Sequence, residues 1–116
     1  MGNINNTIIS GNLTRDCTKK KAGETPLIEF SVAVNEFRKD KEPYTSFFDC
    51  VLFGKRAQGL ADYMLKGQKV AVSGRLRQDR WQAEDGSNRS KVVLIVQEIE
   101  IVTPKKQDNE QDEIPW

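Results

Sequence analysis

From Pro26 to Asn35 the chain alternates without a break. Ile28, Phe30, Val32 and Val34 hold one parity, and Glu29, Ser31, Ala33 and Asn35 hold the other. Period-two alternation sends one set to each face of a strand. The same reading predicts strands over Asn5–Leu13, with turn-forming Gly11 and Asn12 near its end, over Thr45–Phe53, stopped by Gly54, and over Gln68–Trp81. A last strand starts at Arg89 and runs to about Val102. One stretch changes period. In Lys55–Lys66, Ala57, Leu60, Met64 and Leu65 form an apolar stripe at helical spacing, and Gly67 is a natural stop. Arg38–Pro43 reads as a charged loop, and the turn-rich Ala83–Asn88 closes a hairpin. Three strands, a helix and two strands is the layout of an all-β OB-fold, a five-stranded Greek-key barrel with one helix between strands three and four. The helix would cap the barrel, with Leu60 and Met64 as its plug.

Strand parity also sorts the aromatic residues. In Gln68–Trp81, Val70, Val72 and Leu76 take the inward parity, and Ala71, Ser73, Arg75, Arg77, Asp79 and Trp81 the outward one. Trp81 therefore shares a face with two arginines. Phe37 has the polar parity of its strand, if the strand runs that far. In Thr45–Phe53 both faces are apolar: Phe48, Cys50 and Leu52 on one, Phe47, Val51 and Phe53 beside Asp49 on the other. A barrel needs one apolar face, so the second has a further use, in ligand binding or subunit contact. Flat rings on an outer surface stack on nucleic-acid bases without choosing among them. Cations nearby neutralise phosphates; here they are Arg38, Lys39, Lys41, Lys55, Arg56, Arg75, Arg77, Arg80, Arg89 and Lys91. Bases are free to stack only in a single strand, so this chemistry favours single strands over duplexes.

Charge adds a second partner. The formal net charge is +1, but Asp108–Trp116 holds four carboxylates and no Lys or Arg, which leaves residues 1–107 at +5. A basic body with an acidic segment suggests two partners of different kinds. That segment closes on Ile114, Pro115 and Trp116, apolar groups suited to a pocket on another protein. Its composition predicts disorder when unbound, which sets the domains at 1–104 for the barrel and 105–116 for the tail. The absence of His excludes His-based acid–base catalysis, Ser-His-Asp and Cys-His nucleophiles, and His-ligated zinc. Cys17 and Cys50, 33 positions apart, make no CxxC and read as inert, buried or half-buried thiols. No cofactor, no metal and no catalytic residue is expected. No apolar run is long enough for a membrane helix and the start is not signal-like, so a cytoplasmic protein is expected, without membrane contact.

Several blocks are more specific. Ile9–Asp16 (ISGNLTRD), Thr45–Gly54 (TSFFDCVLFG), Leu65–Arg77 (LKGQKVAVSGRLR) and the hairpin Arg77–Arg89 (RQDRWQAEDGSNR) resemble, in order, the bacterial single-stranded DNA-binding protein (SSB) family. Asp112–Trp116 (DEIPW) is similar to that family's acidic tip. The resemblance covers nearly all of residues 4–103. It implies sequence-independent binding of single-stranded DNA in DNA replication, recombination and repair, and a homotetramer. It also implies recruitment of replication, recombination and repair proteins through Asp112, Glu113, Ile114, Pro115 and Trp116. The family's stacking aromatics fall on Phe37, Phe47, Phe53 and Trp81, where parity also put outward rings. The DNA-binding set is completed by Arg38, Lys39, Lys55, Arg56, Arg75, Arg77, Arg80 and Arg89. Phe37 and Phe47 stand where the family often has Trp, Phe48 where it often has His near a subunit interface, and Cys17 where it often has Pro. The short linker before the tip fits a short-tailed phage or mobile-element variant.

Three other readings compete with this one. A related OB module could serve replication restart or RNA binding on the same surface. An enzyme would need something like a metal pair at Asp49 and Asp79, yet the chain has no Walker loop, no HExxH and no nucleophile–base pairing. A pure protein-interaction barrel leaves the grouping of arginines with Trp81 without a purpose.

Overall fold

The computed structural model describes residues 2–102. The expected tail, with its partner-binding tip, and the domain boundary at residue 104 lie outside the described residues. Six strands form one sheet: β1 (Thr7–Leu13), β2 (Thr18–Ala22), β3 (Thr25–Glu36), β4 (Tyr44–Phe53), β5 (Lys69–Gln82) and β6 (Asn88–Val102). The sheet order is β1-β5-β6-β4-β3-β2, and β1 pairs with β3 as well, which closes a ring of five strands with β2 outside it. The ring is the expected five-stranded barrel. The extra strand, β2, pairs with the half of β3 that β1 leaves free: Lys19 lies opposite Ile28, whereas Leu13 lies opposite Val32. Its sequence, TKKKA, is exposed throughout, so no apolar alternation marked it as a strand.

The barrel interior takes the inward set. Ile28, Phe30 and Val32 of β3, Cys50 and Leu52 of β4, Val70 and Val72 of β5, and Leu94 and Val96 of β6 form one buried cluster. Two glycines allow the strands to meet. A Cβ on Gly11 would lie 2.1 Å from the Ala33 carbonyl oxygen, and one on Gly74 would lie 1.9 Å from that of Ile95. The register of β5 against β6 shifts between Ser73 and Gly74, because Ser73 faces Glu98 but Gly74 faces Val96, leaving Gln97 as the extra residue of a bulge.

The helix is shorter than its pattern predicts. α1 covers Lys55–Leu60 and is followed by a 3-10 turn, Ala61–Tyr63. Gly54 caps α1 without a side-chain hydrogen bond, and Gly59 adds a poor helix former inside it. The plug survives in altered form: Ala57, Ala61 and Met64 are buried and Leu60 is half-buried, whereas Leu65 faces solvent. Leu76 departs too. It holds the inward parity, opposite Leu94, yet is 41% exposed, because the β5–β6 hairpin runs on past the barrel, where Val92 is also exposed. Cys50 is buried and Cys17 half-buried; both thiols are free, and burial pushes Cys50 up to about 12. Among the described residues, no helix is long and apolar enough to cross a membrane.

Candidate nucleic-acid interface

Residues opposite one another on paired strands share a face, so the pairings define the barrel's outer surface. On the hairpin, Trp81 lies opposite Arg89, Asp79 opposite Lys91, Arg77 opposite Val93 and Arg75 opposite Ile95. Ile95 is paired in parallel with Val51 of β4. On β4, Phe47, Asp49, Val51 and Phe53 lie opposite Ala33, Ser31, Glu29 and Leu27 of β3. Phe47, Phe53 and Trp81 therefore stand on one continuous outer face, together with Arg75, Arg77, Arg89 and Lys91. Phe47 is 65% exposed and Trp81 48%.

This outer face is apolar at its centre. Leu27, Val51, Val93 and Ile95 bury one another, with Phe53 packed against them. The cluster forms part of the floor of a groove of about 470 Å³, whose charged lining is Arg15, Glu29, Asp49, Arg77, Asp79 and Lys91. Each of these carboxylates has a cation beside it. Arg77 Nε–H donates to Asp79 Oδ1 at 2.7 Å and its Nη2–H to Oδ2 at 3.1 Å. Lys91 Nζ is 3.5 Å from Asp49 Oδ2, and Lys20 Nζ is 2.9 Å from Glu29 Oε1. The hydrogen bonds from Arg77 hold the Asp79 carboxyl below its ordinary value, and in turn raise the guanidinium's. Asp49 and Asp79 thus each pair with a cation of the groove, Lys91 and Arg77 respectively. No group of three or more His, Cys, Asp or Glu among the described residues could hold a metal.

The remaining expected residues sit around this face. Phe37 lies one residue beyond the end of β3, 82% exposed, in the segment 37–43 rather than on the strand. Arg38 stacks over the Tyr44 ring at 5.4 Å and donates to the Glu42 carbonyl. Lys39 and Lys55 are exposed. Arg56 turns to β6, donating to the Gln97 carbonyl and pairing with Glu98 at 4.0 Å. At the hairpin tip, Arg80 donates to Gln78 Oε1, while Arg89 donates to Ser87 Oγ and lies 3.8 Å from Asp85. Hydrogen bonds from Ser87 hold the Asp85 carboxyl below its ordinary value. Trp81, Arg80 and Arg89 line a second recess there. The sequence reading counted Lys91 among the nearby cations but not in the DNA-binding set, and it named neither Arg15 nor Lys20. For Lys91 a signal existed, since it shares the parity of Arg89. Lys20 carried none, because its place depends on the unrecognised β2, and Arg15 lies in the connection between β1 and β2.

Known proteins resemble this chain throughout the described part. The model of the single-strand binding protein family matches residues 4–102. A single-stranded DNA-binding protein of Treponema pallidum (strain Nichols) is 39% identical over 107 residues, covering 88% of this chain and 60% of its own length. One from Borreliella burgdorferi is also 39% identical over 107 residues, covering 87% of this chain and 71% of its own length. The chain thus spans less than two thirds of the length of the Treponema relative. Among solved structures, a Plasmodium falciparum SSB in complex with ssDNA superposes with a TM-score of 0.79 at 20% identity, over 89% of this chain and 98% of that one. That likeness establishes the fold, the OB-fold barrel expected from the element order.

Proposed function

The chain belongs to the single-strand binding protein family, and we propose that it binds single-stranded DNA without sequence preference, across the outer face of β3–β4–β6–β5. The observation that supports this most is the shared face: Phe47, Phe53 and Trp81 stand beside Arg75, Arg77, Arg89 and Lys91 on one surface. Phe37 extends it from the adjoining segment, with Arg38 and Lys39 next to it. Bases lie flat on the rings and phosphates meet the cations, an arrangement for holding a strand rather than cutting it. A tryptophan-quenching titration with an oligo-dT strand at two salt concentrations tests the reading. The expected log–log salt slope is about −0.7 per phosphate neutralised. Equal affinity for a duplex of the same length would overturn it.

Protection of exposed strands in replication, recombination and repair, in the cytoplasm of a bacterial cell or an infected host, is the work this binding fits. The acidic segment recruits partners, with Ile114, Pro115 and Trp116 filling an apolar pocket and Asp112 and Glu113 meeting its basic rim. Deleting Asp108–Trp116 should abolish pull-down of repair proteins and leave strand binding intact or stronger. Self-association into a homotetramer would cover Ile8, Phe48, Leu76 and Val92, all exposed in the single chain. Sedimentation as a monomer at micromolar concentration would contradict it.

A further inference from the structure

The charges at the centre of the groove form a chain across three strands. Asp49 on β4 faces Lys91 on β6, Lys91 lies opposite Asp79 on β5, and Asp79 holds Arg77 by two hydrogen bonds. The four charges sum to zero, so the middle of a surface meant for a polyanion carries no net charge. Stability does not account for the arrangement. The side chains of both pairs keep between 35% and 51% of their exposure, and ion pairs so open to water contribute little. Burial does not force it either, since both cations reach solvent without help.

We propose that Asp49 and Asp79 are built-in competitors for the DNA phosphates, which must displace them from Lys91 and Arg77 before those cations can bind the strand. The inference rests on the strand-binding reading above. It deepens that reading by assigning the groove an exchange mechanism. On binding, Arg77 passes from carboxylate to phosphate. On release it passes back, so a phosphate leaves without stripping the cation bare. The groove therefore trades affinity for rapid exchange of strands. Asp79 also makes binding sensitive to acid. Asp79 is held below its ordinary value while Arg77 donates to it. Losing that donor and gaining a phosphate neighbour both raise its affinity for a proton. The complex thus takes up a proton that the free protein does not, and binding tightens as pH falls into the ordinary carboxylate range. The other charged groups around the groove are Arg15, Lys20, Glu29 and Arg75. Of these, Glu29 lies across the groove beside Lys20.

The test is a stopped-flow and equilibrium titration of the full chain with oligo-dT, comparing wild type with Asp49→Asn, Asp79→Asn and the charge-preserving Asp79→Glu. Each Asn variant should bind about 3- to 10-fold more tightly, from the loss of one anion within a few ångströms of a phosphate. The gain should lie mainly in slower dissociation, with a steeper salt slope. Asp79→Asn should flatten the acid response, and Asp79→Glu should behave like wild type. Thermal melts confirm that each variant is folded. If wild type binds the strand but both Asn variants bind it equally or more weakly, the carboxylates only position the cations and the proposal is overturned. If wild type does not bind the strand, the strand-binding reading fails and this one with it.

Discussion

β3, β4 and β6 carry an apolar cluster on each side, and the two differ in their surroundings. The inner one, around Phe30, Leu52 and Leu94, is closed by Ala57, Ala61 and Met64 and has no charged side chain within it. The outer one, Leu27, Val51, Val93 and Ile95 with Phe53, opens on a groove bordered by Arg77, Asp79, Lys91 and Asp49. Both bury their members almost equally, so burial alone does not distinguish them. The rim does. A cluster that only holds strands together needs neither an opening nor facing charges.

The comparison breaks most sharply at the strand crossings. Gly74→Val puts a side chain where the Ile95 carbonyl oxygen would sit 1.9 Å from Cβ. Backbone on both sides leaves it nowhere to go, so the inner cluster should fail to close and the cooperative thermal transition should be lost. A normal melt for this variant would show that the β5–β6 bulge is free to widen. Next in size is the pair Phe30→Ala and Phe53→Ala. Removing Phe30 from the inner cluster should cost about 3–5 kcal/mol, a large part of an ordinary domain's stability. Removing the half-buried Phe53 should cost about 1–2 kcal/mol yet weaken strand binding far more than the surviving fraction of folded Phe30→Ala does. Equal losses of stability, read from denaturant midpoints, would erase the distinction between the clusters.

Trp81→Ala should separate them further. The ring lies on the protruding hairpin, away from both clusters, so the melt should not move. Affinity for oligo-dT should fall by about 1–3 kcal/mol, roughly 5- to 150-fold. Unchanged affinity would remove the hairpin tip from the binding surface.

Much of this contrast was legible in the residues. The alternation of β3 placed Ile28, Phe30 and Val32 inside, and the doubly apolar β4 announced that its outer face had a use. Parity put Trp81 beside Arg75 and Arg77. What sequence reasoning missed depends on partners far along the chain. TKKKA pairs as a strand only because β3 outruns β1, so its lysines gave no apolar signal. Leu76 has the parity of a core residue but lies where the hairpin leaves the barrel behind. Leu65, next to Met64, belonged to the expected helical stripe, yet the helix has ended before it. Asp49 and Lys91 are 42 positions apart, and only the parallel pairing of β4 with β6 brings them together. Local pattern fixes which way a side chain points; topology decides what it meets.

The smallest effect concerns the two thiols, which report on the inner cluster without touching the outer one. Cys50 belongs to the inner face, and burial raises its thiol to about 12, so it is almost wholly protonated at pH 8. Cys17, half-buried and donating to the Ala61 carbonyl at 3.6 Å, is raised by burial too, though Lys19 opposes the shift. A thiol reagent at pH 8 should therefore label Cys17 first and Cys50 only as the barrel opens. Saturating oligo-dT should change neither rate much, because neither side chain stands on the outer face. The same shift has a sign in stability. The folded thiol of Cys50 keeps its proton beyond the pH at which the unfolded one loses it, so its contribution is whole below about 9 and fades as pH rises toward about 12. Fast labelling of Cys50, or its protection by the oligonucleotide, would mean that the two clusters communicate and that the barrel wall between them is thinner than its strands suggest.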